Sequence, residues 1–168
     1  MRLLFVCTGN TCRSAMAEGI GRAIAAERGL QDVSVESAGT GAAPVPRDPD
    51  VPGPGASDGA LLVALEHGID LSEHRSRPLT PELIEAADLV LAMGGRHLER
   101  AVELGGAGKS HLLTAFATDG RARHGIDDPF GGSLDAYRAT FAELDREVRR
   151  AFDRLAATRE PDASSSTG

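Results

Sequence analysis

The chain begins with a run of apolar residues that is followed directly by a polar loop, and few folds accommodate these two features in succession. Residues Leu3 to Val6 are all apolar, without the polar alternation of a half-exposed strand. Such a run is typical of a strand buried on both faces of a parallel sheet. The glycine-containing segment Cys7 to Ser14 follows, and apolar residues then recur at helical spacing at Met16, Ile20 and Ile24. The sequence therefore predicts a strand, a loop and a helix in immediate succession.

The rest of the chain continues to alternate between strand and helix patterns. Further strands are predicted over Val33 to Ser37, over Leu89 to Met93 and near Leu112. Five helices are predicted. The first ends at Gly29, the second covers Ser57 to His67 and the third begins at Pro81, and the last two cover Arg96 to Leu104 and Leu134 to Ala157. About four strands and five helices in this order predict an α/β fold, a three-layer, doubly wound sheet of four parallel strands with helices on both faces.

The chain has the length of one domain. Its 168 residues fall within the usual range of roughly 100 to 200 residues. We expect one domain over residues 1–158 and a disordered, serine-rich tail over residues 159–168. The segment Gly39 to Gly55 contains five prolines and four glycines, which predicts irregular structure. Its proline-rich part, residues 44–54, either borders the functional pocket or serves as a spacer, and the sequence leaves both open.

The composition of the chain argues against several classes of function. A net charge of -7 and a pI near 5.2 argue against nucleic-acid binding, which depends on a surplus of Lys and Arg. No run of about 18 apolar residues is present to span a membrane. Two cysteines are too few for a disulfide framework or a four-cysteine zinc site, and no histidine is paired with another ligand at metal spacing. We expect a soluble, cytoplasmic monomer without metal or cofactor.

The loop after the first strand carries the reactive residues. Ligands of open parallel sheets bind beyond the carboxyl ends of the strands, where Cys7 stands. A helix amino terminus, loop N–H groups and Arg13 favour a thiolate there, and the same donors bind an oxyanion. Gly9 permits tight turning, Asn10 tolerates left-handed geometry, and Ser14 can cap the helix while donating to the sulfur. We expect this phosphate-binding loop to hold substrate through Thr8, Gly9, Asn10, Thr11, Cys12 and Ser14, with Arg13 gripping two oxygens.

A thiolate that attacks phosphorus forms a phosphocysteine, and the departing group then needs a proton from a carboxylic acid. Asp127 and Asp128 lie in a predicted loop with Pro129 and Phe130, just before the last helix. Asp128 is the preferred acid, Asp127 is its rival, and Phe130 is expected to contact substrate. The alternative for this segment is a purely structural Asp-Pro turn in which Ser133 caps the last helix. The alternative for Cys7 is an inert buried thiol.

These residues resemble the low-molecular-weight protein tyrosine phosphatase family, which has a loop of the form cysteine, five residues, arginine, serine and a late Asp-Pro-aromatic loop. The likeness covers nearly the whole chain and includes Ser37-Ala38-Gly39-Thr40 after the second strand. It implies that Cys7 is the nucleophile and that Arg13 clamps the oxyanion. It also implies that Asp128 is the general acid and then the base that activates water.

The resemblance implies supporting roles as well. Asn10 and Ser37 are expected to hold the strained geometry of the loop, and Ser14 to assist departure of the thiolate. Cys12 is expected either to pack the loop or to act as a resolving thiol that traps oxidised Cys7 in a reversible disulfide. Ala15 replaces the proline that often follows Arg-Ser in the family, which removes some rigidity but no catalytic group.

Thr11 bears on the substrate. Tyrosine-directed members commonly carry a larger isoleucine at this place, whereas the related bacterial protein arginine phosphatases carry threonine, as this chain does. Residues 128–133, and Met93 followed by His97, also look like the arginine-directed branch. The resemblance therefore implies a cysteine-dependent hydrolase of phosphorylated proteins, with phosphoarginine favoured and phosphotyrosine as the alternative. Thr11 as nothing more than a small loop residue stays open.

Two other functions are compatible with parts of this pattern. Arsenate reductases of similar fold use the same loop, but they relay oxidation to additional downstream cysteines that this chain lacks. A non-catalytic phosphate-binding module would retain Arg13 and the loop amides while losing the nucleophile or the acid. Both Cys7 and Asp128 are present, so the residues favour a phosphatase.

Overall fold

The computed structural model describes residues 1–159, and its sheet confirms the predicted α/β fold. The strands pair in parallel in the order β2-β1-β3-β4. Their bounds are β1 (Arg2–Cys7), β2 (Ser34–Gly39), β3 (Leu89–Ala92) and β4 (Ser110–Leu112). The α-helices within the described residues are α1 (Arg13–Glu27), α2 (Asp58–Glu66), α3 (Pro81–Ala86), α4 (Gly95–Ala101), α5 (Leu113–Ala117) and α6 (Leu134–Arg159).

Helices cover both faces of the sheet. Successive side chains of a strand point to opposite faces. Leu3 and Phe5 of β1 belong to a large core cluster with buried residues of α1, α2 and α6, whereas Leu4 and Val6 belong to a smaller cluster with residues of α3 and α4. This double burial explains why the first strand is apolar at every position rather than at every second one.

The order of the strands fixes the place of a ligand crevice. From β1 the chain passes to β2 on one side of the sheet, and β3 later pairs with β1 on the other side. Such a reversal of direction leaves a crevice at the carboxyl end of the central strand. Cys7 is the last residue of β1, and the loop that follows it leads into α1 at Arg13.

The structure corrects the predicted helices in three places. The helix predicted over Arg96 to Leu104 ends at Ala101, and one π-helical turn (Val102–Gly106) follows, with Gly105 at φ 105°. The predicted number of five helices is wrong because α5, with five residues, follows β4 directly and is too short to show a helical period. Helix α6 runs through Arg159, so it enters the predicted tail. The rest of that tail lies outside the described residues.

The predicted helix cap at Ser14 is also wrong. Cys12, not Ser14, occupies the N-cap of α1, and it makes no side-chain cap hydrogen bond. The Ser14 hydroxyl contacts Cys7 and Asn10 instead. Ser57 does stand at the N-cap of α2, but its hydroxyl contacts other residues rather than the helix backbone. Both hydroxyls are therefore committed to the loop. No helix within residues 1–159 has the length and apolarity needed to cross a bilayer.

The close approach of β2 to the loop makes Gly39 sensitive to substitution. A Cβ on Gly39 would collide with the carbonyl oxygen of Thr8 and lie 3.0 Å from the backbone nitrogen of Asn10. Backbone atoms cannot rotate away as a side chain does. We therefore expect Gly39→Ala to lower the free energy of unfolding by about 1–3 kcal/mol, measured by urea denaturation.

Gly95→Ala is the matched control. Gly95 opens α4, and no heavy atom lies within 4 Å of the position its Cβ would take. Alanine is a better helix former than glycine, so this variant should retain or slightly raise the free energy of unfolding. Equal losses in both variants would contradict the close approach as the cause.

Candidate active site

The sulfur of Cys7 lies at the centre of a small hydrogen-bonding network. Its Sγ atom is 2.8 Å from the hydroxyl oxygen of Ser14, and the backbone N–H of Asn10 donates to it over 3.3 Å. Cys7 and Ser14 are both buried. Sequence reasoning predicted the contact with Ser14, and the structure places the two side chains in that contact.

Burial raises the pKa of the Cys7 thiol, because a thiolate loses its hydration there. The Ser14 hydroxyl, the N–H groups of Ser14 and Asn10, and the charge of Arg13 lower the pKa, as the sequence predicts. They do not outweigh burial, so the expectation of a thiolate favoured by the loop is only half right. Each donor to the sulfur therefore matters for the fraction of thiolate.

Asn10 joins the loop to two distant segments. Its backbone is left-handed, with φ 58°, and the residue is fully buried. The side-chain amide donates to the hydroxyls of Ser14 (2.8 Å) and Ser37 (2.9 Å), and it accepts from the backbone N–H of Arg77 (3.0 Å). The carbonyl of Asn10 lies 2.6 Å from Nε2 of His74. The loop conformation is thus fixed by β2 and by the segment that precedes α3.

A pocket of about 390 Å³ opens above the sulfur. It is lined by Cys7, Thr8, Gly9, Thr11, Cys12, Arg13, Asp128 and Phe130. The structure therefore brings together the three predicted catalytic residues and most of the predicted binding residues. The side chains of Asn10, Ser14 and Ser37 are buried behind the loop instead.

Arg13 and Asp128 face each other across this pocket. Nη2 of Arg13 is 3.5 Å from Oδ2 of Asp128, and Nη1 donates to the carbonyl of Ile126 over 3.0 Å. The Asp128 side chain is half exposed, and its Oδ1 accepts from the backbone N–H of Phe130. Asp127 is absent from the pocket lining within the described residues. The geometry therefore favours Asp128 over its rival.

The loop of Asp128 also contains the turn that the sequence offered as its alternative. The Ser133 hydroxyl accepts from the backbone N–H of Ala136, as a cap for α6 would. A structural cap and a pocket carboxylate therefore occur in the same segment, and one does not exclude the other. Phe130 is 71% exposed, and this leaves its ring open at the rim of the pocket.

The second cysteine is buried and unoxidised. Cys7 and Cys12 are both free thiols. Sγ of Cys12 lies 3.2 Å from the hydroxyl of Ser57 and 3.5 Å from that of Tyr137, and these two hydroxyls are 3.2 Å apart. Cys12 is therefore tied to α2 and α6, and its resolving role stays a prediction.

Residues on either side of the proline-rich segment are attached to the loop. The N–H groups of Thr40 and Gly41 donate to the carbonyls of Cys7 and Thr8, and the N–H of Ser57 donates to the carbonyl of Thr11, all over 2.9 Å. The flanks of the segment are thus held beside the loop, but the described residues that line the pocket include none of residues 44–54, so whether the segment borders the pocket or serves as a spacer stays open.

Sequence reasoning missed three residues that touch the loop. His74 and Tyr137 contact Asn10 and Cys12, and Nε2 of His97 is 2.8 Å from the hydroxyl of Thr8. Burial, together with the charge of Arg13, lowers the pKa of His97 to about 4, and the charge of Asp128 opposes this shift. The spacing of His74, His97 and Tyr137 along the chain forms no motif that would predict these contacts. Within residues 1–159, no three or more His, Cys, Asp and Glu side chains form a group that could hold a metal ion.

The Ser14 hydroxyl gives a pH-dependent prediction. It lowers the pKa of Cys7, so Ser14→Ala should raise that pKa and move the onset of thiolate reactivity to higher pH. The measurement is the rate of iodoacetamide alkylation of Cys7 across pH, followed by mass spectrometry of its peptide. Ser57→Ala is the control, because the Ser57 hydroxyl contacts Cys12 rather than Cys7. An unchanged alkylation profile in Ser14→Ala would refute the assigned contact.

Comparison with known proteins agrees with this geometry. Residues 2–160 match the family model for low molecular weight phosphotyrosine protein phosphatase. A protein-arginine-phosphatase of Bacillus subtilis is 39% identical over 155 residues, covering 92% of this chain and 97% of the relative. The low molecular weight protein-tyrosine-phosphatase Wzb of Escherichia coli is 32% identical over 148 residues, covering 88% of this chain and 90% of Wzb.

A solved structure supports the same conclusion. A cysteine-to-serine mutant of YwlE arginine phosphatase, with a phosphorylated active site serine, superimposes with a TM-score of 0.82 at 40% identity, covering 95% of this chain and 98% of that one. The likeness extends over the sheet, the helices and the loop that holds Cys7. The chain belongs to the low molecular weight phosphotyrosine protein phosphatase family.

Proposed function

We propose that this protein hydrolyses phosphoarginine in phosphorylated proteins through a phosphocysteine at Cys7. The observation that carries the proposal is the shared pocket, in which a cysteine, an arginine fork, a carboxylate and the small Thr11 line one space. Thiol, oxyanion clamp and acid are the groups that covalent phosphoryl transfer from a protein side chain requires.

In the proposed reaction, Cys7 attacks phosphorus while the loop N–H groups and Arg13 hold the three phosphoryl oxygens. Asp128 gives its proton to the departing nitrogen of arginine. It then removes a proton from the water that attacks the phosphocysteine, which breaks the S–P bond, releases phosphate, and regenerates the Cys7 thiolate and the protonated Asp128. Asp128 lines the same pocket as Cys7 and is half open to solvent, which places it in the space where both proton transfers occur.

Thr11 supports phosphoarginine as the substrate. Its side chain lines the pocket, and it is shorter than isoleucine while offering a hydroxyl. The guanidinium group of phosphoarginine has several N–H donors, whereas the phenyl ester of phosphotyrosine has none. A polar group in the pocket wall therefore suits phosphoarginine. The relative from Bacillus subtilis that is named a protein-arginine-phosphatase adds to this support.

Phosphotyrosine is the second candidate. The pocket walls are largely apolar, and the exposed ring of Phe130 at the rim suits stacking against a phenyl group. Relatives such as Wzb are named protein-tyrosine-phosphatases. Both substrates would use the same Cys7, Arg13 and Asp128.

The remaining expectations are part of the same proposal. Residues 1–158 act as one phosphatase domain, and the protein works as a cytoplasmic monomer without metal, cofactor or nucleic-acid partner. A net charge of -7 supports the last point. Cys12, close to the nucleophile along the loop, is the resolving thiol under oxidation.

The two neighbouring aspartates allow a matched test of the acid. Asp128→Asn removes the carboxyl group that faces Arg13, and we expect kcat to fall by about 100-fold or more. Asp127→Asn is the control, because Asp127 contributes its carbonyl to Thr140 and not its side chain to the pocket. Steady-state kinetics on a phosphorylated peptide measure both. A larger loss in Asp127→Asn would reverse the assignment.

The substrate is tested by kcat/KM for a phosphoarginine peptide beside a phosphotyrosine peptide, with EDTA present. We expect a preference for phosphoarginine that shrinks by about tenfold in Thr11→Ile, because the longer side chain fills the pocket and removes the hydroxyl. Cys7→Ser must lose turnover of both peptides. A preference for phosphotyrosine in the unaltered protein would make the second candidate the function, and retained turnover in Cys7→Ser would overturn the mechanism.

A further inference from the structure

His97 is buried beside the loop with one ring nitrogen unpaired. The residue is 6% exposed, and its Nε2 lies 2.8 Å from the hydroxyl oxygen of Thr8. Its Nδ1 is buried and has no hydrogen-bond partner among the described residues. Thr8 follows the nucleophile directly, is exposed, and lines the pocket above Cys7. A buried imidazole is thus connected to the substrate pocket through one hydroxyl.

The unpaired nitrogen decides the tautomer of the ring. A neutral imidazole carries its proton on only one nitrogen. A proton on Nδ1 would leave a buried N–H without an acceptor, which proteins avoid more strictly than a buried lone pair. The proton therefore belongs on Nε2.

This tautomer sets the direction of the Thr8 hydroxyl. When Nε2–H donates to the hydroxyl oxygen, the hydroxyl hydrogen is free to donate elsewhere. Thr8 is exposed and lines the pocket, so a partner for this hydrogen can bind there. A donor that is oriented before substrate arrives needs no reorganisation to meet an anion.

We propose that His97 is a positioning residue that holds the Thr8 hydroxyl as a hydrogen-bond donor to a phosphoryl oxygen of the bound substrate. His97 stays neutral in this role. Burial keeps its pKa near 4, and the facing charges are Arg13, which opposes a second proton on the ring, and Asp128. The proposal rests on the proposed function, because it needs a phosphoryl group in the pocket.

A double-mutant cycle tests the link between the two residues. Thr8→Val removes the hydroxyl but keeps the shape, and His97→Leu removes the ring N–H. We expect each to lower kcat/KM by about tenfold and to weaken inhibition by inorganic phosphate, since a hydrogen bond to a charged group is lost. The double variant should be no worse than either single variant, because His97 acts only through Thr8. Additive losses would overturn the proposal.

Two further variants separate positioning from simple packing. The amide nitrogen of a glutamine can occupy the place of Nε2, so His97→Gln should retain most of the activity that His97→Leu loses. His111→Leu is the control, because His111 is an exposed residue of the edge strand β4 outside the pocket lining, and it should leave kcat/KM unchanged. Equal losses in His97→Gln and His97→Leu would mean that the ring only fills space.

The tautomer is measured directly on the unaltered protein. Two-bond ¹H–¹⁵N correlation spectra near pH 7 should show His97 with its proton on Nε2, and a proton on Nδ1 would refute the proposal whatever the variants do. The proposed function fails separately. If the unaltered protein turns over no phosphorylated peptide, the function is wrong, whereas turnover with an additive cycle removes only the role of His97.

Discussion

The catalytic loop depends on the buried side chain of Asn10. A left-handed backbone at a residue other than glycine costs of order 1 kcal/mol or more, and here four hydrogen bonds to Ser14, Ser37, Arg77 and His74 hold it. Those partners come from α1, from β2 and from the segment before α3. The loop therefore reaches its working shape only when the sheet and its crossovers are complete. Formation of the site therefore depends on formation of the whole fold.

The same burial that makes the loop rigid works against its chemistry. It raises the pKa of the Cys7 thiol, and the donors around the sulfur recover only part of that cost. In a dry site, however, each remaining donor acts with little screening by water. Arg13 gains most from this, because it is itself nine-tenths buried and aimed between the carbonyl of Ile126 and the carboxylate of Asp128. A phosphoryl group would meet a fork that is already positioned.

Features that lie close together in sequence were predictable, and so were distant residues that stand in a motif of the family. The run Leu3 to Val6 and the loop after it predicted β1 and the place of the pocket, because strand, loop and helix are consecutive, whereas Asp128 and Ser37 were expected from their motifs. Helix α5 escaped because five residues show no period. His97 and His74 stand 89 and 64 positions from the loop residues that they contact, and no local pattern records such a pairing.

The pocket contains two threonines whose hydroxyls differ in freedom, and this difference matches the two ends of a phosphoarginine. In the proposed arrangement the Thr8 hydroxyl, fixed by His97, donates and suits the anionic phosphoryl end. The Thr11 hydroxyl lies 3.7 Å from Sγ of Cys12, a weak contact that leaves the lone pairs of its oxygen available. A guanidinium needs acceptors, so Thr11 suits the other end. An isoleucine in place of Thr11 would keep the phosphate site, but it would remove the acceptor and fill part of the space that the guanidinium needs.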